Sequence, residues 1–407
     1  MDHQHWYRAK IGEPAHDNVA SYAAALLVAE SNAHSKNLAR ERIYEGVELM
    51  EHRAALATLE RGGMGIARLN ALKSIINTLV SRMSKDRPMP SIITDDGDWR
   101  LKQQAKKFRK FIVGQMLETE FDDHSRDALQ DGAVIGTAFT RIDDSDGCVY
   151  AERMPTNDVL FDRRECKYGR PQQAIRVQRV ARDYLAELFP KYAAQIERAP
   201  ASKRRKDDED RDGHMSGDLD DYVDTYEAWR LPSTKDSKDG RHVLCVETAT
   251  LVGEEWMEPR FPWAMFRFDK PRRGMWGIGL VDDLAELQHR VNRIVRDIQL
   301  NLTATGRGHF LVNEANDVPV EMLSAIAPFK LKYKGASPPV WEAPTPYNVA
   351  QMSALDKFIG YMYQLSGVSE ASATLHHVRN RRRGRAPQSG RRSRPEPLTH
   401  AGGGRNE

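Results

Sequence analysis

Gly279-Leu280-Val281-Asp282-Asp283-Leu284-Ala285-Glu286-Leu287-Gln288-His289-Arg290-Val291-Asn292-Arg293-Ile294-Val295-Arg296-Asp297-Ile298-Gln299-Leu300-Asn301-Leu302 is the longest clean helical signal in the chain. Val281, Leu284, Leu287, Val291, Ile294, Val295, Ile298 and Leu302 recur every three or four residues, which lines one side of an α-helix with apolar groups for about six turns. Gly274, Gly277 and Gly279 stand just before it. A second long helix opens at Thr345-Pro346, with Thr at the cap and Pro in the first turn; its stripe is Val349, Met352, Leu355, Ile359 and Met362. In the roughly 40 residues between them, 309–313, 329–333 and 340–341 read as strands and 319–326 as a short helix. Two long helices thus bracket a small α/β insertion.

Working outward, residues 18–83 read as helices. Ile66, Leu69, Leu72, Ile75, Ile76, Leu79, Val80 and Met83 form one stripe, and Gly62-Gly63 separates it from the helix before. Pro88 and Pro90 forbid continuation and start an extended piece at 91–94. Asp95-Asp96-Gly97-Asp98 is a turn and a helix start, because acidic side chains suit the positive end of a helix dipole. Helices are expected over 99–117 and through 125–132. Strands then replace helices. Residues 137–142 and 148–152 flank Asp143-Asp144-Ser145-Asp146-Gly147 and predict a hairpin. A short helix at 183–189 is closed by Pro190. Residues 198–220, almost wholly charged residues, Gly and Ser, predict a mobile loop. Strands resume at 221–231, 242–249 and 262–268.

Net charge has to be divided before it is used. The 407 residues carry +3 overall, from 61 Lys and Arg against 58 Asp and Glu. Residues 376–407 hold nine Arg and two Glu, about +7, so residues 1–375 sit near −4. The body is mildly acidic and the tail strongly basic. Only Val378, Ala386, Leu398 and Ala401 are ordinary apolar residues in the tail, which predicts disorder. Cys148, Cys166 and Cys245 are too few and too scattered for a disulfide scaffold or a cysteine-based zinc site, and fit a reducing compartment. No apolar run approaches the roughly 20 residues of a membrane span, and the first residues lack the basic-then-apolar pattern of a signal peptide.

No catalytic constellation stands out. Gly277-Ile278-Gly279 is half of a dinucleotide fingerprint, but Asp282 occupies the third glycine's place, so a flexible lead-in to the long helix is the expected role. There is no phosphate-binding Gly-x-x-x-x-Gly-Lys-Ser/Thr loop. Asp143 to Gly147 superficially resembles a calcium loop, yet position twelve falls on Met154, and a hairpin turn is the simpler reading. Asp207-Asp208-Glu209-Asp210 and His376-His377 lack partners at a fixed spacing and are expected to be solvated. No cofactor and no metal are expected, and the chain is not expected to be an enzyme.

The order of elements resembles that of the portal, or head-to-tail connector, proteins of tailed double-stranded DNA bacteriophages. Local stretches are similar too. They are Asp131-Gly132-Ala133-Val134-Ile135-Gly136-Thr137-Ala138-Phe139 with the hairpin and Arg153-Met154-Pro155-Thr156-Asn157-Asp158-Val159 after it; residues 79–90; Met275-Trp276-Gly277-Ile278-Gly279-Leu280; and Leu365-Ser366-Gly367-Val368-Ser369. The likeness covers about residues 40–374. It implies an α+β portal-like fold: a helical wing region at 1–90, a mixed α/β wing at 91–272 containing the loop 198–220, a first stem helix at 273–302, a clip at 303–345, a second stem helix at 346–368, and a basic tail at 369–407. It implies a structural, non-enzymatic subunit of a homo-oligomeric ring, generally dodecameric, at the capsid vertex of a virion (prophage-encoded or lytic), assembled in the host cytoplasm. DNA would pass through the ring during packaging and ejection without sequence preference. The implied partners are the terminase large subunit, capsid or scaffold proteins and head-completion proteins, with no membrane.

Family members usually continue past the position of Thr374 into the helices of a crown. Here apolar periodicity vanishes within a few residues, so the expectation is a crown missing through a frameshift near 373–375. Glu286, Arg290, Arg293, Arg296 and Asp297 are the candidates for the DNA channel, a solvated outer face being the alternative. Arg381, Arg382, Arg383, Arg391 and Arg392 are candidates for non-specific phosphate contact. Two other readings compete: a nucleic-acid-binding protein acting through the basic tail, and a nuclease using scattered carboxylates. A mildly acidic body favours a conduit, since each added cation on a phosphate would act as friction.

Overall fold

The computed structural model describes residues 3–47, 68–85, 89–94, 98–145, 147–167, 171–202, 222–234, 237–306, 309–311, 340–342 and 349–369. The chain is α+β and divides into two compact units, Met1–Leu49 with Lys73–Asp283, and Met50–Leu72 with Leu284–Glu370.

The first unit opens with α1 (His16–Glu45). It ends where Gly46 takes φ 80°, which frees Val47 N–H to reach back to the Arg42 carbonyl at 2.8 Å. Helix α2 (Ala71–Met83) buries Leu72, Ile75, Ile76 and Val80, four of the eight residues of the expected stripe, while Leu69 and Met83 are exposed. Helix α3 (Trp99–Glu118) is capped by Asp98, whose carboxylate accepts from Leu101 N–H at 2.9 Å. Glu120, in the left-handed region at φ 51°, turns the chain into α4 (Phe121–Ile135). Residues 91–94 join no strand.

The expected hairpin is present as β1 (Thr137–Ser145) and β2 (Cys148–Met154). Ser145 pairs with Cys148, so the turn is tighter than the five residues expected, and Gly147 supplies φ 77°. With β8 (Trp263–Arg267) they form a three-stranded antiparallel sheet in the order β2-β1-β8. A five-stranded antiparallel sheet runs β3-β4-β5-β6-β7: β3 (Val159–Phe161), β4 (Gln173–Ala181), β5 (Tyr222–Arg230), β6 (Arg241–Val246) and β7 (Ala249–Glu255). Two short helices, α5 (Arg163–Cys166) and α6 (Arg182–Leu188), flank β4, and α7 (Ala193–Arg198) precedes β5.

Alternation decides what each face of the larger sheet meets. Ile175, Val177, Tyr226, Ala228, Val243 and Cys245 share one face and pack under α1 with Val19, Tyr22, Ala23 and Leu26. On the other face, Val180, Val223, Leu244 and Val246 pack with Leu185 of α6 and Ile196 of α7. Between the sheets lies a third cluster of Phe139, Met154, Phe161, Ala174 and Met275.

The loop expected to begin at 198 begins later. Arg198 closes α7, Ala199 is buried in the core, and Ser202 N–H bonds the Tyr222 carbonyl at 2.9 Å. Residues 203–221 lie outside the described residues, as do 312–339 and 370–407.

In the second unit, α8 (Leu280–Gly306, its first turn still in the first unit) and α9 (Val349–Ser366) are the two long helices. Between them β9 (His309–Leu311) and β10 (Val340–Glu342) pair antiparallel, with Leu311 opposite Val340. The insertion therefore leaves and returns through one two-stranded base. The helix at 319–326 and the strand at 329–333 lie outside the described residues.

Candidate functional site

Helix α8 begins with its own acid as a cap: Asp282 accepts from Gly279 N–H at 3.1 Å, and Arg40 donates to the same carboxylate at 2.8 Å. Val281, Leu284, Gln288 and Val291 are fully covered, whereas Leu287, Ile294, Val295 and Ile298 are only part-covered. Gln288 is a polar residue inside the apolar stripe. Its amide donates to the Leu69 carbonyl at 2.6 Å and its oxygen accepts from Leu72 N–H at 3.1 Å. Asn292, one turn on, accepts from Leu69 N–H at 3.3 Å. Together they satisfy backbone groups that the start of α2 leaves open. Within the first three turns of α8 the stripe is therefore largely covered inside one chain.

Glu286, Arg290, Arg293 and Asp297 share one solvent-exposed side of α8, and Glu286 pairs with Arg290 at 3.1 Å. Arg296 does not belong with them: it is part-buried and lies roughly a quarter-turn around the helix. Asp282 and Asp283, also exposed, precede them on the same side, so its charges are four acids and two bases.

Helix α9 is different. Asp356 and Lys357 are its only charged residues in eighteen. Leu355, Phe358, Ile359, Met362 and Leu365 spread over an arc of well over a third of the circumference, with Met352 at one border and Tyr361 at the other. Only Met362, near the middle of that arc, is fully buried; Met352 and Tyr361 are each 49% exposed and Leu365 63%. A single copy covers the centre of this arc and leaves both borders in water.

The densest chemistry in the first unit lies between the two sheets. Arg141 on β1 donates to both oxygens of Glu227 on β5, at 2.7 and 3.0 Å, and to Asp143 at 2.7 Å. His242 on β6 bridges Glu227 at 3.0 Å and Glu254 on β7 at 2.7 Å. The His242 ring stacks on Trp229, with centroids 5.2 Å apart, and the Arg141 guanidinium sits 5.4 Å from the Trp229 ring. Arg176 on β4 pairs with Glu152 on β2, a second link between the sheets. Burial alone would raise the Glu227 carboxyl, but the Arg141 charge and the His242 bond outweigh it and hold it down at about 2. Burial alone would lower His242, but its bonds to Glu227 and Glu254 outweigh that and push it up to about 9. Histidine and carboxylate are therefore both charged at neutral pH, and the cluster is a charged clasp between the sheets.

Neither a scan against protein-family models nor a search among curated proteins gives a match for this chain.

Other expected features resolve more simply. Gly277-Ile278-Gly279 is not a flexible lead-in. Ile278 bridges Asp269, Gly277 N–H bonds the Thr137 hydroxyl at 2.7 Å, and Gly279 lies against the Val134 carbonyl. Asp143, in the stretch that superficially resembles a calcium loop, is held by Arg141. Among the described residues no group of three or more His, Cys, Asp or Glu side chains is placed to hold a metal ion, and no helix is long and apolar enough to cross a membrane. Cys166 and Cys245 are buried, and burial pushes the Cys166 thiol up to about 12. Arg381, Arg382, Arg383, Arg391, Arg392, His376-His377 and Asp207–Asp210 lie outside the described residues. Two features went unforeseen. The clasp joins residues up to 86 positions apart, with no local signature. That α3 buries no side chain fully concerns tertiary cover, which helical periodicity does not report.

Proposed function

We propose that this chain is the repeating subunit of a ring-forming channel of the bacteriophage portal kind, built to let double-stranded DNA pass rather than to transform it. The observation that carries the reading is α9: an apolar arc whose borders stay in water has a use only when further copies flank it. The order long helix, excursion on a two-stranded base, long helix supports the same reading. So does the exposed side of α8, where acids outnumber bases, since a lumen surface short of cations gives sliding phosphate little to grip.

On this reading α8 and α9 are the stem, 303–345 the clip that docks the terminase large subunit and later the head-completion proteins, and the first unit the wing. The particle is a dodecameric ring at the capsid vertex, assembled in the host cytoplasm. The loss of apolar periodicity after Leu375 supports a frameshift near 373–375. An amphipathic helical continuation in another reading frame of the coding DNA supports that step, and its absence from both frames refutes it.

Sedimentation velocity of the full chain over a hundredfold dilution tests the ring reading. A single large, closed species that persists on dilution supports it; a monomer at every concentration rejects it. Retention of DNA through residues 376–407 alone, without assembly, would favour the basic-tail binder instead.

A further inference from the structure

Helix α3 buries none of its twenty side chains. It carries Arg100, Lys102, Lys106, Lys107, Arg109 and Lys110 against Glu118, a net charge of +5. At 3.6 residues per turn, Leu101, Phe108, Phe111 and Ile112 fall on one side, and Arg100, Lys102, Lys107 and Arg109 along its two borders. Phe108 and Phe111 stack at 6.4 Å between centroids and are 57% and 59% exposed. An apolar strip framed by cations is the pattern of a helix that docks on something acidic with an apolar centre.

The charge distribution says what that is. Without α3, residues 1–375 sit near −9. A symmetric contact of α3 with its own copy would set +5 against +5, so like charges forbid it. The acidic counterpart lies elsewhere on the same chain. The β1–β2 hairpin exposes Ile142 and Val149 beside Asp144, on one face of the strand pair. The β7–β8 connection, tied to it by the Ile142 N–H bond to the Pro262 carbonyl at 3.1 Å, exposes Met257 between Glu255 and Glu258, with one cation, Arg260, exposed two residues on.

We infer that α3 of one copy docks on this acidic, apolar-centred surface of the next copy, and that this contact sets the head-to-tail order of the assembly. The partner is a second copy of the chain, so the inference rests on the ring reading. A contact between two different surfaces propagates by rotation, and closes when the rotation divides the circle.

Charge reversal tests it in the full chain. Because α3 has no buried side chain, K102E/K107E/R109E keeps the wild-type circular dichroism and unfolding midpoint. Its assembly by sedimentation velocity is weakened roughly tenfold or more, as is that of D144K/E255K/E258K, while the six-substitution swap regains it. F108S/F111S weakens assembly without being rescued by the swap. If wild type assembles and both charge-reversed variants assemble equally well, this inference falls and the ring reading stands. If wild type stays monomeric, both fall. If assembly is unchanged but α3 binds vesicles containing phosphatidylserine in a manner abolished by K102E/K107E/R109E, α3 serves a lipid surface and the inference is overturned.

Discussion

Gly136 and Gly277 lie backbone to backbone: a β-carbon on Gly136 would stand 2.4 Å from the Gly277 carbonyl oxygen, and one on Gly277 would stand 2.1 Å from that of Gly136. The contact joins the end of α4 to the segment that leads into α8. Gly136 also holds φ 103°, a conformation side chains resist. Gly277 N–H also donates to the hydroxyl of Thr137, 140 residues away in the chain, so the two segments pack together.

Gly277→Ala should therefore destabilise the chain by about 3 kcal/mol or more, since neither backbone can give way cheaply. Gly274→Ala is the control: φ is 90° but nothing lies within 4 Å, so a cost of about 1 kcal/mol is expected. Urea unfolding midpoints at constant slope distinguish the two.

The clasp predicts a pH dependence with a definite sign. His242 has a folded-state pKa of about 9, above its ordinary 6.5, so its contribution is complete below pH 6.5 and lost as pH rises through 9. Glu227 is shifted the opposite way, from 4.5 to about 2, so its contribution is complete above pH 4.5 and lost as pH falls toward 2. Between pH 6.5 and 9 wild type should lose about 2 kcal/mol that His242→Gln does not lose. Glu227→Gln, which removes the buried charge that Arg141 and His242 share, should cost about 3–5 kcal/mol at pH 7. Thermal unfolding across pH measures both.

Gln288→Ala removes two bonds to the start of α2 and should cost about 1–3 kcal/mol by denaturant unfolding. Gln288→Leu, although apolar and similar in volume, should not recover that loss. A purely hydrophobic role for this position would give the reverse order.

Met352→Gln with Leu365→Gln separates fold from assembly. Both side chains are largely exposed in one copy, so unfolding should shift by less than about 0.5 kcal/mol. Self-association should weaken by roughly tenfold or more if those borders meet neighbouring copies, as dilution in the ultracentrifuge would show.

What the sequence made legible follows from which elements have one wet face. α2, α8 and the β1–β2 hairpin showed their period because one side meets water. Strand β4 was missed because Gln173 to Val177 are all buried, so its two faces show no contrast. Strand β7 was missed because Ala249 was assigned to the strand before it, although the pairing of Val246 with Ala249 makes that point a turn. Gly277 looked flexible because nothing beside it in the chain reveals Gly136. Of the candidate channel residues, Glu286, Arg290, Arg293 and Asp297 are exposed along α8 and Arg296 is part-buried. The Arg141–Glu227–His242 clasp exists only once two sheets meet.

Electron microscopy of the purified full chain tests the central claim most directly. The account predicts end-on views of closed annular particles with rotational symmetry and an open centre wide enough for a DNA duplex, α9 lying between adjacent copies. Isolated compact particles the size of one 46.2 kDa chain, unchanged at high concentration and low salt, would contradict it.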